Sequence, residues 1–146
     1  MARLSKNYSI KARDVLHAGE ASIQIQGLLK SMHLDPALIR RIAVCSYEGE
    51  MNAVIHGGDG TLEMTMEDDH LTLEISDDGP GIEDIARAML PGYSTASEDA
   101  REMGFGAGMG LPNMQRNADE FLIESEPGRG TRARMRFHLA PGTPRP

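Results

Sequence analysis

Two glycine-rich segments, Asp77-Asp78-Gly79-Pro80-Gly81-Ile82 and Gly104-Phe105-Gly106-Ala107-Gly108-Met109-Gly110-Leu111, constrain this chain more than any other feature. Both follow a helix-like stretch running from Glu48 to Gly57. Glycine lets the backbone take positive φ or approach a ligand closely, so alternate glycines leading into an apolar helical stretch suit N–H groups wrapped around phosphates. Taken alone, Gly104 to Gly110 reads as a flexible loop or a tight turn. Its company points further.

Asp35-Pro36 is a good helix start, a capping residue followed by proline at the first helical position. Glu48 and Asn52, four apart in the helix that begins there, project from one face. A carboxylate can take a proton or orient a water, and an amide oxygen is a hard ligand suited to magnesium, which is usually held by few protein groups plus substrate phosphates. A solvated, charged helix face is the plainer reading of such a pair. Asp77 ends the alternating run Leu71, Leu73, Ile75, so it lies at the end of a buried strand, where a carboxylate needs a hydrogen-bond donor such as the adenine amino group. Read plainly, it is a strand-to-turn aspartate with Asp78 to Gly81 as an ordinary turn.

The rest of the chain supplies a sheet and its cover. Tyr8 to Val15 reads as a first strand, and Ala18 to Met32 as a helix with Ile23, Leu28 and Leu29 at apolar positions. Thr61 to Glu67 and Leu71 to Asp77 alternate as two strands joined by Asp68-Asp69-His70. Leu111 to Ala118 is expected to be helix, and Phe121 to Ser125 is expected to pair with Thr131 to Leu139 through Pro127-Gly128-Arg129-Gly130. The expected fold is α+β, with helices on one face of a mixed, mostly antiparallel sheet. One domain over residues 1–140 fits the length, and Pro141 to Pro146 reads as a disordered tail.

The net charge of -7 and the lack of a basic cluster argue against nucleic acid. No hydrophobic run reaches membrane-spanning length and the start lacks a signal-peptide core, so a cytoplasmic location is expected and no membrane contact. Cys45, the one cysteine, cannot form an internal disulfide and reads as a small packed side chain. Ten methionines are many for this length, and gap-filling in the core accounts for them.

In order and content these segments resemble the GHKL ATP-binding family, which includes histidine kinases, gyrase B, MutL and the bacterial anti-sigma serine kinases. Glu48 to His56 is similar to its N box, Asp77-x-Gly79-x-Gly81-Ile82 to the first glycine box, Gly104 to Leu111 to the second, and Gly128-Arg129-Gly130-Thr131 to the late Gly-Thr element. The resemblance implies the two-layer Bergerat ATP-binding fold, with ATP and Mg2+ as ligands. It implies that Asn52 coordinates the magnesium, Asp77 receives the adenine amino group, Gly81 packs beside the base, and Thr131 supports Asp77 directly or through water. Gly79 and Ile82 complete the first box. Gly104, Gly106, Gly108, Met109, Gly110 and Leu111 would surround the phosphates at the start of a helix. Glu83 to Met103 matches the ATP lid, from which Arg101 either reaches the γ-phosphate or remains an ordinary surface arginine. Glu48, four before the N-box asparagine, is implied to be the general base. Glu50 competes for that role, but lies only two residues from Asn52 and is expected to point to another side of the helix.

Within the family, Gly108 to Arg116, Ala118 to Phe121 and Ile123 to Thr131 are similar to the solitary anti-sigma and partner-switching kinases. These phosphorylate a serine or threonine on a small STAS-domain partner, and relatives often form homodimers. The second glycine box has one more Gly-x step than the compact switch-kinase form, a departure that bears on the register of the phosphate contacts. Other readings are a non-catalytic, ATP-dependent module holding a sigma factor or its antagonist, and a histidine-kinase catalytic domain. Against the latter, His17, His33, His56, His70 and His138 are scattered, with no two-helix phosphoacceptor segment.

Overall fold

The computed structural model describes residues 4–56, 58–82, 84–90 and 110–139. In chain order the elements are β1 (Leu4–Ile10), α1 (Glu20–Ser31), α2 (Pro36–His56), β2 (Gly60–Met66), β3 (His70–Asp77), α3 (Ile85–Ala88), α4 (Gly110–Asn117), β4 (Glu120–Glu126) and β5 (Gly130–His138). The strands form one sheet in the order β1-β2-β3-β5-β4. Every described pairing is antiparallel, so the sheet lies at the antiparallel end of what the sequence led us to expect.

Alternation fixes the register. Leu62, Met64 and Met66 lie opposite Ile75, Leu73 and Leu71, which in turn lie opposite Ala133, Met135 and Phe137. All nine side chains are buried. Slipping any strand by one residue would turn this face to solvent, which is why the pattern specifies the pairing so strongly. Helices α1, α2 and α4 cover this face, and Met64, Met66, Met114 and Met135 fill it as the composition suggested.

Helix α2 starts where the capping signal predicts: Asp35 Oδ2 accepts the Leu38 N–H at 3.1 Å. Its middle presses close to the sheet because residue 49 is glycine, and a Cβ there would lie 2.5 Å from Ile75 Cδ1. Cys45 is buried on the same side, its thiol directed to the Met114 carbonyl at 3.6 Å and pushed up to about 12 chiefly by burial. It packs as an inert small side chain.

Two local expectations are corrected. The first strand runs Leu4–Ile10 rather than Tyr8 to Val15, because its partner β2 ends opposite Ile10 at Gly60. Beyond Ile10 the chain turns, with the Ala12 N–H donating to Asp59 Oδ1 at 2.9 Å, the Arg13 N–H donating to the Val54 carbonyl at 2.8 Å, and Arg13 at φ 66°. In α1 the inward stripe is Ala21, Ile25 and Leu29, while Ile23 is 68% exposed. Spaced i, i+4, the three inward residues share one face of the helix. Residues 141–146, read as a tail, lie outside the described residues.

Candidate functional site

The last rung on the buried side of the sheet is polar. Asp77, Thr131 and Ser125 stand opposite one another across β3, β5 and β4, one step beyond Ile75, Ala133 and Ile123. The Ser125 hydroxyl lies 3.0 Å from Thr131 Oγ1 and 3.0 Å from the Gly130 carbonyl, and it accepts the Ile82 N–H at 2.7 Å. Asp77 Oδ1 accepts the Gly79 N–H at 2.9 Å, and the Gly58 N–H also donates to this carboxylate. Burial nevertheless holds the Asp77 carboxyl above the ordinary aspartate range, opposed by those two donors. A half-buried carboxylate with spare acceptor capacity is suited to a donor from a ligand.

Glycines frame this end. Gly81 has φ 79°, and a Cβ there would lie 2.3 Å from the Glu126 carbonyl oxygen. Gly130 has φ 105°, with its Cβ position 2.0 Å from the Asp77 carbonyl oxygen. Both conformation and space exclude a side chain at these two positions.

The other end of the site lies between helices α2 and α4. Glu48 and Asn52 are half-buried neighbours on one face of α2, as their spacing predicts. The first residue of α4 meets them: a Cβ on Gly110 would lie 3.0 Å from Glu48 Oε2 and 3.2 Å from Asn52 Oδ1. Leu111 follows as a buried anchor of α4. Burial raises the Glu48 carboxyl above the usual glutamate range, and a hydrogen bond from Asn113 works against that rise. The described start of α4 at Gly110 therefore lies beside a carboxylate and an amide, and the head of a helix next to such groups is suited to phosphate and a bridging cation.

Glu50 has a different task. It is 4% exposed, and its carboxylate accepts the N–H groups of Gly19, Ala21 and Ser22 and the Ser22 hydroxyl at 2.9–3.3 Å. Local sequence provides no side-chain cap for α1, so Glu50 caps it from across the fold.

Gly104, Gly106, Gly108, Met109 and Arg101 lie outside the described residues, as does most of the Glu83 to Met103 segment. Its described part holds α3, capped by Asp84, whose Oδ1 accepts the Arg87 N–H at 3.0 Å. Sequence reasoning missed Ser125, Gly58, Gly60 and Asn113. A polar residue in phase with Phe121 and Ile123 was the available signal for Ser125, and three-residue spacing from Gly110 was the signal for Asn113.

The donor set can be tested against the implied ligands. Among the described residues no three His, Cys, Asp or Glu side chains cluster to hold a metal by themselves. A single amide beside a helix N-terminus fits magnesium that takes most of its ligands from phosphates and water. The glycine-framed carboxylate at the sheet end fits a flat base bearing an amino group.

Residues 47–141 match the family described as histidine kinase-, DNA gyrase B-, and HSP90-like ATPase. The anti-sigma F factor of Thermoanaerobacter sp. (strain X514) is 38% identical over 113 residues, covering 73% of this chain and 76% of that protein. The anti-sigma F factor of Clostridium botulinum (strain Eklund 17B / Type B) is 37% identical over 111 residues, covering 70% and 74%. Among solved structures, a mycobacterial sensor histidine kinase, MprB, shares the fold with a TM-score of 0.54 at 13% identity, covering 94% of this chain and 99% of that one. No helix among the described residues is long and apolar enough to cross a membrane.

Proposed function

Given that the chain belongs to the histidine kinase-, DNA gyrase B-, and HSP90-like ATPase family, we propose that it is an ATP-dependent serine/threonine protein kinase of the anti-sigma, partner-switching type. Its substrate in this reading is a STAS-domain regulatory protein. The observation that carries the proposal is the meeting of Glu48 and Asn52 on α2 with Gly110 at the start of α4. Two further observations support it: the polar rung at Asp77, and the anti-sigma F factors among the relatives.

In this reading Asp77 accepts the adenine amino group and Thr131 and Ser125 brace that corner. Gly81 keeps the wall thin enough for the base. Backbone N–H groups at the head of α4 hold phosphate oxygens, and Asn52 offers its amide oxygen to magnesium. Magnesium, when bound, neutralises phosphate charge during transfer. Glu48 accepts the proton of the incoming serine or threonine hydroxyl. Its raised carboxyl makes it a better base than an exposed glutamate. Glu50 is unavailable for that work, since its oxygens are engaged by the α1 N-terminus.

A non-catalytic, nucleotide-gated binding module is the second reading, favoured by the anti-sigma factor names of the relatives. Calorimetric titration with magnesium-ATP, followed by incubation with radiolabelled ATP and candidate STAS proteins, separates the two. Binding lost in Asp77→Asn together with label on a partner supports the kinase. Binding with no label on any candidate favours the module, and absence of binding overturns both.

A further inference from the structure

Glu48 and Glu50 are both buried to some degree on the same helix, yet they are held in opposite ways. Four donors immobilise Glu50. The side-chain partner described for Glu48 is Asn113, one turn into α4. Asn113 is itself oriented: its Oδ1 accepts Arg116 Nη2 at 3.2 Å, and its main-chain carbonyl accepts Asn117 Nδ2 at 2.8 Å. A guanidinium only donates and a carboxylate only accepts, so the two neighbours demand opposite ends of the Asn113 amide. Oδ1 turns to Arg116, and Nδ2 turns to Glu48.

Helix α4 is a firm base for this contact. Leu111 and Met114 are buried under it, and Arg41 Nε donates to the Asn117 carbonyl at 2.9 Å at its far end. The same helical turn carries Gly110, which abuts Glu48 Oε2 and the Asn52 amide. Glu48 and Asn113 also line one groove of about 990 Å³ between α1 and α2.

We propose that Asn113, oriented by Arg116, is a positioning residue for Glu48. One carboxylate oxygen is held by the Asn113 amide, and the other is left for the acceptor hydroxyl. A glutamate side chain has three rotatable bonds, so a single well-placed donor removes much of its freedom to swing away from the reacting proton. This role rests on the kinase reading given above.

The test compares wild type, Asn113→Leu and Arg116→Met, each with Glu48 intact and with Glu48→Gln. Transfer rate, magnesium-ATP affinity, melting temperature and side-chain amide spectra by 15N NMR are measured. Asn113→Leu is expected to slow transfer about tenfold with ATP affinity changed less than about twofold, the pattern of lost positioning. Arg116→Met, on an exposed residue, is expected to slow it about threefold for the same reason. Neither change is expected to slow transfer further once Glu48 is glutamine. Equal losses in both backgrounds, or losses confined to ATP affinity or melting, overturn the proposal. If Asn113→Leu does not fold, Arg116→Met decides by the same criteria. If wild type transfers no phosphoryl group, the kinase reading fails separately, and the spectra still judge the contact. Asn113 amide resonances that move in both Glu48→Gln and Arg116→Met support it, and resonances indifferent to either change overturn it.

Discussion

The two ends of the cleft are built from different materials. At the sheet end, backbone decides the geometry: Gly60, Gly81 and Gly130 have Cβ positions 1.9–2.3 Å from carbonyl oxygens of Ser76, Glu126 and Asp77. At the helix end, side chains decide it. There the Gly110 Cβ position comes to 3.0 Å from the end of the flexible Glu48 side chain. Backbone cannot step aside without breaking ladder hydrogen bonds, whereas a glutamate can rotate. Side chains added at the sheet-end glycines are therefore expected to cost the fold together with binding, and substitutions at the helix end to cost chemistry while sparing the fold.

The largest effect that sharpens this contrast is at Glu48. Glu48→Gln should lower phosphoryl transfer by about 100-fold or more, the range for losing a general base, with ATP affinity preserved in calorimetry. It should also raise the melting temperature at neutral pH. Burial raises the folded carboxyl above its unfolded value, so the charged form costs stability above the folded pKa, and that cost disappears as pH falls through it. Glu48→Gln and wild type should then converge in melting temperature on acidification. A glutamine variant that melts lower than wild type at neutral pH would break the comparison.

Gly130→Ala comes next, with an expected loss of about 3 kcal/mol in urea unfolding from a blocked Cβ at positive φ. An unchanged unfolding midpoint would mean the sheet end is softer than its geometry indicates. Asp77→Asn should weaken ATP binding by about 10- to 100-fold through one charge-assisted hydrogen bond, while leaving the melting curve close to wild type. Glu50→Gln should cost about 1–3 kcal/mol of stability and little ATP affinity, because it disturbs the α1 cap and touches no proposed ligand. Smallest is Gly110→Ala. Its Cβ presses on Glu48 and Asn52 at 3.0–3.4 Å, so transfer should fall a few-fold with stability within about 0.5 kcal/mol of wild type. A Gly110→Ala protein with lost ATP binding and normal transfer per bound nucleotide would reverse the roles assigned to this corner.

Much of the site was legible because its residues obey short-range periodicities. Asp35-Pro36 announced α2, and four-residue spacing put Glu48 and Asn52 on one face. Alternation through Leu71, Leu73 and Ile75 led to Asp77 at the strand end. What escaped reading depended on partners distant in sequence. Ile23 looks as apolar as Ile25, and only the position of α1 against the sheet turns one outward and the other in. The end of β1 was misplaced because Ile10 stops pairing only where Gly60 does, fifty residues later. Ser125 became visible once β4 and β5 aligned it with Thr131 and Asp77.

Local chemistry written along the chain thus determined the strands, the helices and the residue types available to the cleft. Hydrophobic period, capping groups and glycines act over a few residues and can be read without knowing what lies opposite. The different surroundings of Glu48 and Glu50 were decided by tertiary structure. Two carboxylates on one helix differ there because one points under the N-terminus of α1 and the other toward α4, and burial with different donors gives each a different character.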